Sequence, residues 1–298
     1  MPLFSKILVL GGTGFIGQEI VDFDVLKKYR FIVPIREKKY THPLVARSNV
    51  EYIDYANLDI NDVIEKISTV IYLIDNIQAL KNSDIDPLKY VNSSLLNDIL
   101  PKLKPNHHLI FFSSRLVYGK KEKLPVAELD DLNPNEKYGM TKLMQENLLK
   151  SYSKALGFKY SILRPTNIYT DNKVLLSKNL INIFVRNILK NKPLQVYGSG
   201  NQVRDYVNVK KVVETLHSLL KEGHSNKIIN VGSGEGISIN EIIEIMQRNW
   251  QKDIIVKHEN INIDESTFIA NCDVVNELVN YNSNIYKDIK NLLTNDSQ

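Results

Sequence analysis

The run Lys6-Ile-Leu-Val-Leu10 leads directly into Gly11-Gly12-Thr13-Gly14-Phe15-Ile16-Gly17, after which Ile16, Ile20, Phe23 and Leu26 recur at helical spacing. Strand, glycine turn and helix in immediate succession leave few folds open. Glycine has three uses at such a junction. The backbone turns tightly, an anionic group can approach the helix N-terminus, and helix and strand pack closely. A lone glycine pattern would suit an ordinary turn, but a strand before it and a helix after it define a pyrophosphate cradle.

The layout of the chain agrees with that cradle. Through residue 165, Val- and Ile-rich runs (Lys6 to Leu10, Phe31 to Ile35, Val50 to Ile53, Thr69 to Ile74, His108 to Ser113, Lys159 to Leu163) alternate with helical patterns. The helical patterns lie at Phe15 to Lys28, Ile60 to Lys66, Pro87 to Lys102 and Tyr138 to Leu156. This predicts a doubly wound α/β domain over 1–165 with a parallel Rossmann-type sheet. Residues 166–298 read mainly as a smaller α/β lobe, with helices at Ser177 to Asn191, Lys210 to Lys221 and Ile239 to about Trp250. Strands are expected there at Leu194 to Tyr197 and Lys227 to Val231, and disorder at Thr294 to Gln298.

Composition narrows the function classes. The 298 residues are 43% hydrophobic with a net charge of +4, basic residues are scattered, and Cys272 is the only cysteine. An anionic small molecule suits this balance better than nucleic acid, and neither a disulfide nor a cysteine zinc site can form. No metal is expected, and the His107-His108 pair reads as a solvated strand entry. Without a leader pattern or an apolar run long enough for a membrane, the expected location is the cytoplasm.

The Tyr-x-x-x-Lys spacing occurs four times, at Tyr138, Tyr169, Tyr206 and Tyr286. Position favours Tyr138 with Lys142, which share one helical face and follow a strand ending in Ser113-Ser114. The segment His108-Leu-Ile-Phe-Phe-Ser113-Ser114-Arg115-Leu116-Val117-Tyr118-Gly119 resembles the fifth-strand end of extended short-chain dehydrogenases/reductases of the epimerase/dehydratase type, which act on nucleotide sugars. Gly-x-x-Gly-x-x-Gly on Gly11, Gly14 and Gly17 fits the same family. So do Arg164-Pro-Thr-Asn167-Ile-Tyr169, Leu194-Gln-Val196-Tyr-Gly-Ser-Gly-Asn-Gln-Val-Arg204-Asp205-Tyr-Val207 and Ile229-Asn-Val-Gly-Ser-Gly, and the resemblance covers about residues 6 to 245.

The resemblance implies catalysis by Ser114, Tyr138 and Lys142. Ser114 fixes the reacting carbonyl, and Tyr138 exchanges a proton as hydride moves. Lys142 favours the phenolate and holds the nicotinamide ribose. Gly11, Thr13, Gly14, Phe15, Ile16 and Gly17 would line the cofactor, and Asp54 would accept from the adenine amino group. Arg36, at the end of the second strand where an NAD site offers an acid, favours NADP(H) through a 2′-phosphate; NAD(H) remains open. Asn167, Val196 and Arg204 would meet the nucleotide-diphosphate sugar, Arg204 at its diphosphate.

Arg115-Leu116 stands where the family's 4,6-dehydratases resemble one another in an acidic pair, so dehydration is not expected. Cys272 lies beyond the motif-bearing segments, which argues against a 3,5-epimerase. The expectation is reduction of a 4-keto(-6-deoxy) sugar at carbon 4 for surface polysaccharide precursors. The alternative is a 4-epimerase like UDP-glucose 4-epimerase, with tightly bound NAD. Asp75, where the family resembles Ile-His-Leu-Ala-Ala, is expected to disturb the ribose pocket, and Thr170-Asp171 replaces a Gly-Pro. A homodimer through Pro87 to Lys102 and Tyr138 to Leu156 is implied by the resemblance.

Overall fold

The computed structural model describes residues 6–36, 48–74, 86–172, 179–221, 225–260, 266–281 and 284–294. Two compact units alternate along the chain. One takes Met1–Gly119, Asp131–Arg164 and Thr215–Ile229, and the other takes Lys120–Asp130, Pro165–Glu214 and Asn230–Gln298. The expectation at Asp75 lies outside the described residues, as do the last four residues.

The first unit opens with β1 (Lys6–Leu10), α1 (Phe15–Asp22), β2 (Arg30–Ile35), β3 (Val50–Asp54), α2 (Ile60–Glu65) and β4 (Ile67–Tyr72). It continues with α3 (Pro87–Asn92), α4 (Leu95–Ile99), β5 (His108–Phe112), α5 (Lys137–Leu156) and β6 (Lys159–Pro165). The sheet order is β3-β2-β1-β4-β5-β6, extended beyond β6 by the strand Lys227–Val231. From β3 to β6 every pairing is parallel. The chain thus reverses direction across the sheet between β1 and β4, the switch point at which a doubly wound fold receives its ligand.

Strands covered on both faces are continuous hydrophobic runs, and Leu8, Val9 and Leu10 are indeed fully buried. Leu8, Leu10, Val70, Tyr72, Leu109 and Phe111 join Leu96, Ile99, Leu149 and Phe158 from the helices and their flanks in one core.

Two of the expected helices are shorter or broken. α1 stops at Asp22 because Phe23 is extended (φ −68°, ψ 123°), and a 3₁₀ turn over Asp24–Leu26 then buries Leu26. The helix expected over Pro87 to Lys102 divides at Ser93-Ser94. There the Ser93 hydroxyl donates to the Lys89 and Tyr90 carbonyls, and the Ser94 hydroxyl donates to Val91 at 2.6 Å. These side-chain bonds compete with the helical ladder, and Pro101 tightens the end into a 3₁₀ turn.

The second unit contains β7 (Asn167–Tyr169), α6 (Leu180–Leu189), β8 (Leu194–Tyr197) and β9 (Val203–Asn208), followed by α7 (Val209–Leu219), which runs into the first unit's stretch at Thr215. β10 (Lys227–Val231) is the strand beyond β6. Then come β11 (Gly236–Ser238), α8 (Ile239–Arg248), β12 (Val256–Glu259), α9 (Asp273–Leu278) and α10 (Ile285–Thr294). β9 lies between β11 and β7, while β12 pairs with β8. Ser238 and Glu241 form a capping box that starts α8, satisfying helix N–H groups that would otherwise lack partners. Tyr169, Phe184, Val196, Ile242, Met246 and Leu292 share this unit's core.

Candidate active site

The glycine loop follows β1 at the switch point. Gly11 has φ +89°, open to glycine at no steric cost, and its carbonyl accepts from Gly14 N at 2.9 Å. A Cβ on Gly17 would lie 2.4 Å from Gly12 Cα, so no larger residue permits this packing of α1 on the loop. Gly14 caps α1 without a side-chain bond, and no acid stands in the first turn. Gln18 Nε2 donates to Thr13 O at 2.8 Å and braces the loop beside Phe15 and Ile16. An uncapped helix start at a switch point attracts anions.

Arg36 is exposed just beyond β2. Asp54 ends β3 opposite Ile35, and its Oδ1 accepts from Ala56 N at 3.0 Å. Asp54 therefore caps the 3₁₀ turn Tyr55–Asn57, the turn-forming role open to any aspartate.

The end of β5 carries the second part of the site. Ser114 is extended and caps the turn Arg115–Val117, its Oγ accepting from Leu116 N at 3.2 Å. A hydroxyl can accept and donate together, so the cap leaves its proton to a ligand oxygen. Tyr138 is 7% exposed and Lys142 2%, so both lie on the buried face of α5. Lys142 Nζ sits 5.8 Å from the Tyr138 ring centroid, donates to Phe112 O at 2.7 Å and lies 4.8 Å from the Phe111 ring centroid. The ammonium is thus tied to the strand end that carries Ser114.

Glycine allows this approach a second time. A Cβ on Gly139 would stand 2.4 Å from Leu116 O. The start of α5 therefore rests directly on the turn that Ser114 caps. The structure thus places Tyr138 and Lys142 on the part of α5 that faces the end of β5 and the turn capped by Ser114.

The surrounding residues include a group to which the sequence assigned no role. Glu146 is fully buried, and Ser113 Oγ donates to its Oε1 at 2.6 Å. Arg164 Nε and Nη2 donate to the same carboxylate at 3.0 and 2.7 Å, and Nη1 donates to Tyr118 OH at 2.8 Å. Burial alone would lower the Arg164 pKa, but the Glu146 carboxylate and the Tyr118 oxygen outweigh it and hold it above its ordinary value. The signal available in sequence was Glu146 four residues beyond Lys142, continuing the Tyr138–Lys142 face.

The histidine pair corrects an expectation. His108 opens β5 with His107 just before it, but His107 is 2% exposed rather than solvated. Its Nδ1 accepts from Lys104 N at 2.8 Å, so its Nε2 carries the proton and donates to Ile64 O at 3.2 Å. His108 Nε2 bonds Ser161 Oγ at 2.9 Å, and burial, then the Lys159 charge, push its pKa down to about 4. No group of three or more metal-ligating side chains occurs among the described residues.

Within the second unit, Asp205 ties together the segments around Thr166, Ser233 and Ala270. It is fully buried and accepts from Thr166 Oγ1, Ser233 N, Ser233 Oγ, Gly234 N and Ala270 N at 2.8–3.2 Å. Its backbone oxygen takes Asn167 Nδ2 at 2.8 Å. Arg204 donates through Nη1 to the Val203 and Ser266 carbonyls. Val196 is 1% exposed and its side chain belongs to the core, so any contact it makes with a ligand falls to its backbone. The other Tyr-x-x-x-Lys tyrosines are employed differently. Tyr169 OH donates to Asp288 Oδ2 at 2.7 Å, Tyr206 lies in β9, and Tyr286 is exposed. Cys272 is buried, and burial, then Asp205, push its thiol up to about 12.

The NAD dependent epimerase/dehydratase family model matches residues 7–232, and the chain belongs to that family. A putative UDP-glucose 4-epimerase of Methanocaldococcus jannaschii is 32% identical over 81% of this chain and 81% of its own length. A dTDP-4-dehydro-6-deoxyglucose reductase of Escherichia coli is 29% identical over 85% of this chain and 84% of its own. In fold the chain is similar to the UDP-glucuronic acid 4-epimerase of Bacillus cereus, solved in complex with UDP-glucuronic acid and NAD. The TM-score is 0.83 at 23% identity, covering 97% of this chain and 98% of that one. No described helix is long and apolar enough to cross a membrane.

Proposed function

We propose that the protein is a nicotinamide-dependent oxidoreductase acting on carbon 4 of a nucleotide-diphosphate sugar, with 4-epimerisation as its reaction. The observation that carries this reading is the placement of Tyr138 and Lys142 on the buried face of α5, with the ammonium bound to the carbonyl two residues before Ser114. Gly11, Thr13, Gly14, Phe15, Ile16 and Gly17 would hold the dinucleotide, with the pyrophosphate at the α1 N-terminus. The bound nicotinamide supplies a hydride acceptor. Ser114 would donate to the sugar oxygen at carbon 4, and Tyr138 would remove that oxygen's proton on oxidation and return it on reduction. Lys142 favours the phenolate by its charge. Asn167 and Arg204 would meet the diphosphate.

The relatives named as 4-epimerases move the balance from reduction to epimerisation. NAD, named with the Bacillus cereus structure, replaces NADP as the favoured cofactor. Exposed Arg36 would then contact the adenosine ribose without requiring a 2′-phosphate. The second reading, reduction of a 4-keto-6-deoxy sugar for surface polysaccharide precursors, keeps one specific support in the Escherichia coli reductase. Arg115-Leu116 after Ser114 offers no acid for dehydration.

Incubation with UDP-glucose, UDP-N-acetylglucosamine and UDP-glucuronic acid is expected to yield the 4-epimer without net change in NADH absorbance, and Tyr138→Phe to abolish it. NAD(P)H consumption with a dTDP-4-keto-6-deoxy sugar and no epimer would establish the reductase instead. The exposed Leu88 on α3 and Met140 and Met144 on α5 support a homodimer through these helices in a soluble, cytoplasmic enzyme. A monomer in light scattering would refute the dimer.

A further inference from the structure

Tyr138, Lys142 and Glu146 follow one another at four-residue intervals on the buried face of α5, yet only the first two belong to the proton-transfer chemistry. Glu146 reaches the segments that flank Ser114 on both sides. Ser113, the residue before Ser114, donates directly to Oε1 at 2.6 Å. Tyr118, four residues after it, is held through Arg164, whose Nη1 lies 2.8 Å from the Tyr118 oxygen and whose Nε and Nη2 clasp the Glu146 carboxylate. Arg164 stands on β6, and the adjacent Leu163 carbonyl accepts from Ser113 N at 2.7 Å. Ser113, Tyr118, Glu146 and Arg164 are all 3% exposed or less.

A buried ion pair is a poor means of adding stability, since well-packed apolar side chains do as well or better. A planar fork on a carboxylate does fix direction, however, because two parallel bonds allow only one mutual orientation. The geometry points to Glu146 as the positioning residue that sets Ser114 against Tyr138 and Lys142, acting through Ser113 and the Arg164 fork. This rests on the proposed roles of those three residues. Glu146 is itself fully buried and acts through these partners. It ties β5, β6, the turn after Ser114 and α5 to one point, and proton transfer tolerates about 0.5 Å of error in such a constellation.

The test uses Glu146→Asp, which keeps the charge and shortens the reach by one methylene, and Ser113→Ala, which cuts the link to β5 and leaves the ion pair intact. In an epimerase or reductase assay, Glu146→Asp is expected to lower kcat by about 10- to 100-fold, with KM for the nucleotide sugar within about twofold of wild type. Ser113→Ala is expected to lower kcat on the order of 10-fold. In a Tyr138→Phe background neither change lowers the residual rate further. Crystal structures of wild type and both variants, which need no substrate, are expected to show the Ser114 Oγ to Tyr138 oxygen distance changed by about 0.5 Å or more.

If the wild type turns over no nucleotide sugar, the functional reading falls while the crystal structures still decide the positioning. Unchanged kcat, or an unchanged distance in folded variants, overturns the proposal. If Glu146→Asp does not fold, Ser113→Ala decides it alone.

Discussion

Replacing Gly139 by alanine sets two effects of known sign against each other. Alanine within a helix is favoured over glycine by about 1 kcal/mol, so propensity alone predicts a more stable protein. The added Cβ, however, would stand 2.4 Å from Leu116 O and 3.0 Å from Pro134 Cβ, where ordinary contact begins at 3.4 Å. The shortfall of 1.0 Å (3.4 − 2.4) falls against backbone oxygen, which no rotamer change relieves. Forcing an extra carbon into such a site costs about 1–3 kcal/mol. The contact is with backbone and so lies at the upper end of that range, and the expected net loss is up to about 2 kcal/mol.

Leu116 N is also the donor to Ser114 Oγ, so the displaced turn is the one that aims the serine. A shift of about 1 Å in a reacting group costs on the order of 100-fold in rate. Urea unfolding followed by circular dichroism measures the first quantity, and initial-rate kinetics under saturating nucleotide sugar measure the second. A Gly139→Ala protein as stable as wild type, with undiminished kcat, would show that α5 does not rest on the Ser114 turn.

Three further outcomes are expected. His108 carries a folded-state pKa of about 4 against 6.5 for the free side chain, so between those values the unfolded chain binds more protons and stability rises with pH. That difference contributes on the order of 3 kcal/mol, present above pH 6.5 and lost as pH falls to 4; His107, also lowered by burial, acts in the same direction. Denaturant midpoints from pH 7.5 to 4 should therefore drop in wild type and drop less in His108→Gln, and equal slopes would refute the assignment. Asp205→Asn loses charge-assisted bonds at the Ser233–Gly234 turn and is expected to raise KM for the nucleotide sugar about tenfold or more while leaving NAD affinity intact, measurable by steady-state kinetics and cofactor fluorescence. Cys272, buried with its thiol pushed up to about 12, should resist thiol reagents at pH 8 until the protein is unfolded, and Cys272→Ala should retain activity; rapid labelling of the native protein would contradict this.

Local patterns were legible wherever the physics is local. The glycine turn, the alternation of apolar strand and amphipathic helix, and the four-residue spacing of Tyr138 and Lys142 each express a backbone period or a steric demand that neighbouring residues impose on one another. They specified the doubly wound class and the loop over Gly11–Gly17, and they singled out Tyr138 among four similar spacings as the candidate. The division at Ser93-Ser94 was less legible, because a serine hydroxyl turning back on the helix competes with solvent and other partners that a sequence does not display. β7, β9 and β11 are only three to six residues long, too short for a period to stand out, and β9 holds together through pairing with partners far away in the chain.

The tertiary structure decided what distant residues do to one another. Nothing near Glu146 in sequence says that its carboxylate will be enclosed by Ser113 and Arg164, 33 and 18 residues away. Nor does a motif reveal that Val196 is spent in a core or that His107 has both nitrogens bonded. A sequence determines which groups can bond and with what local geometry. Which of them lose their water, and so must find each other, is settled only when strands and helices close around them.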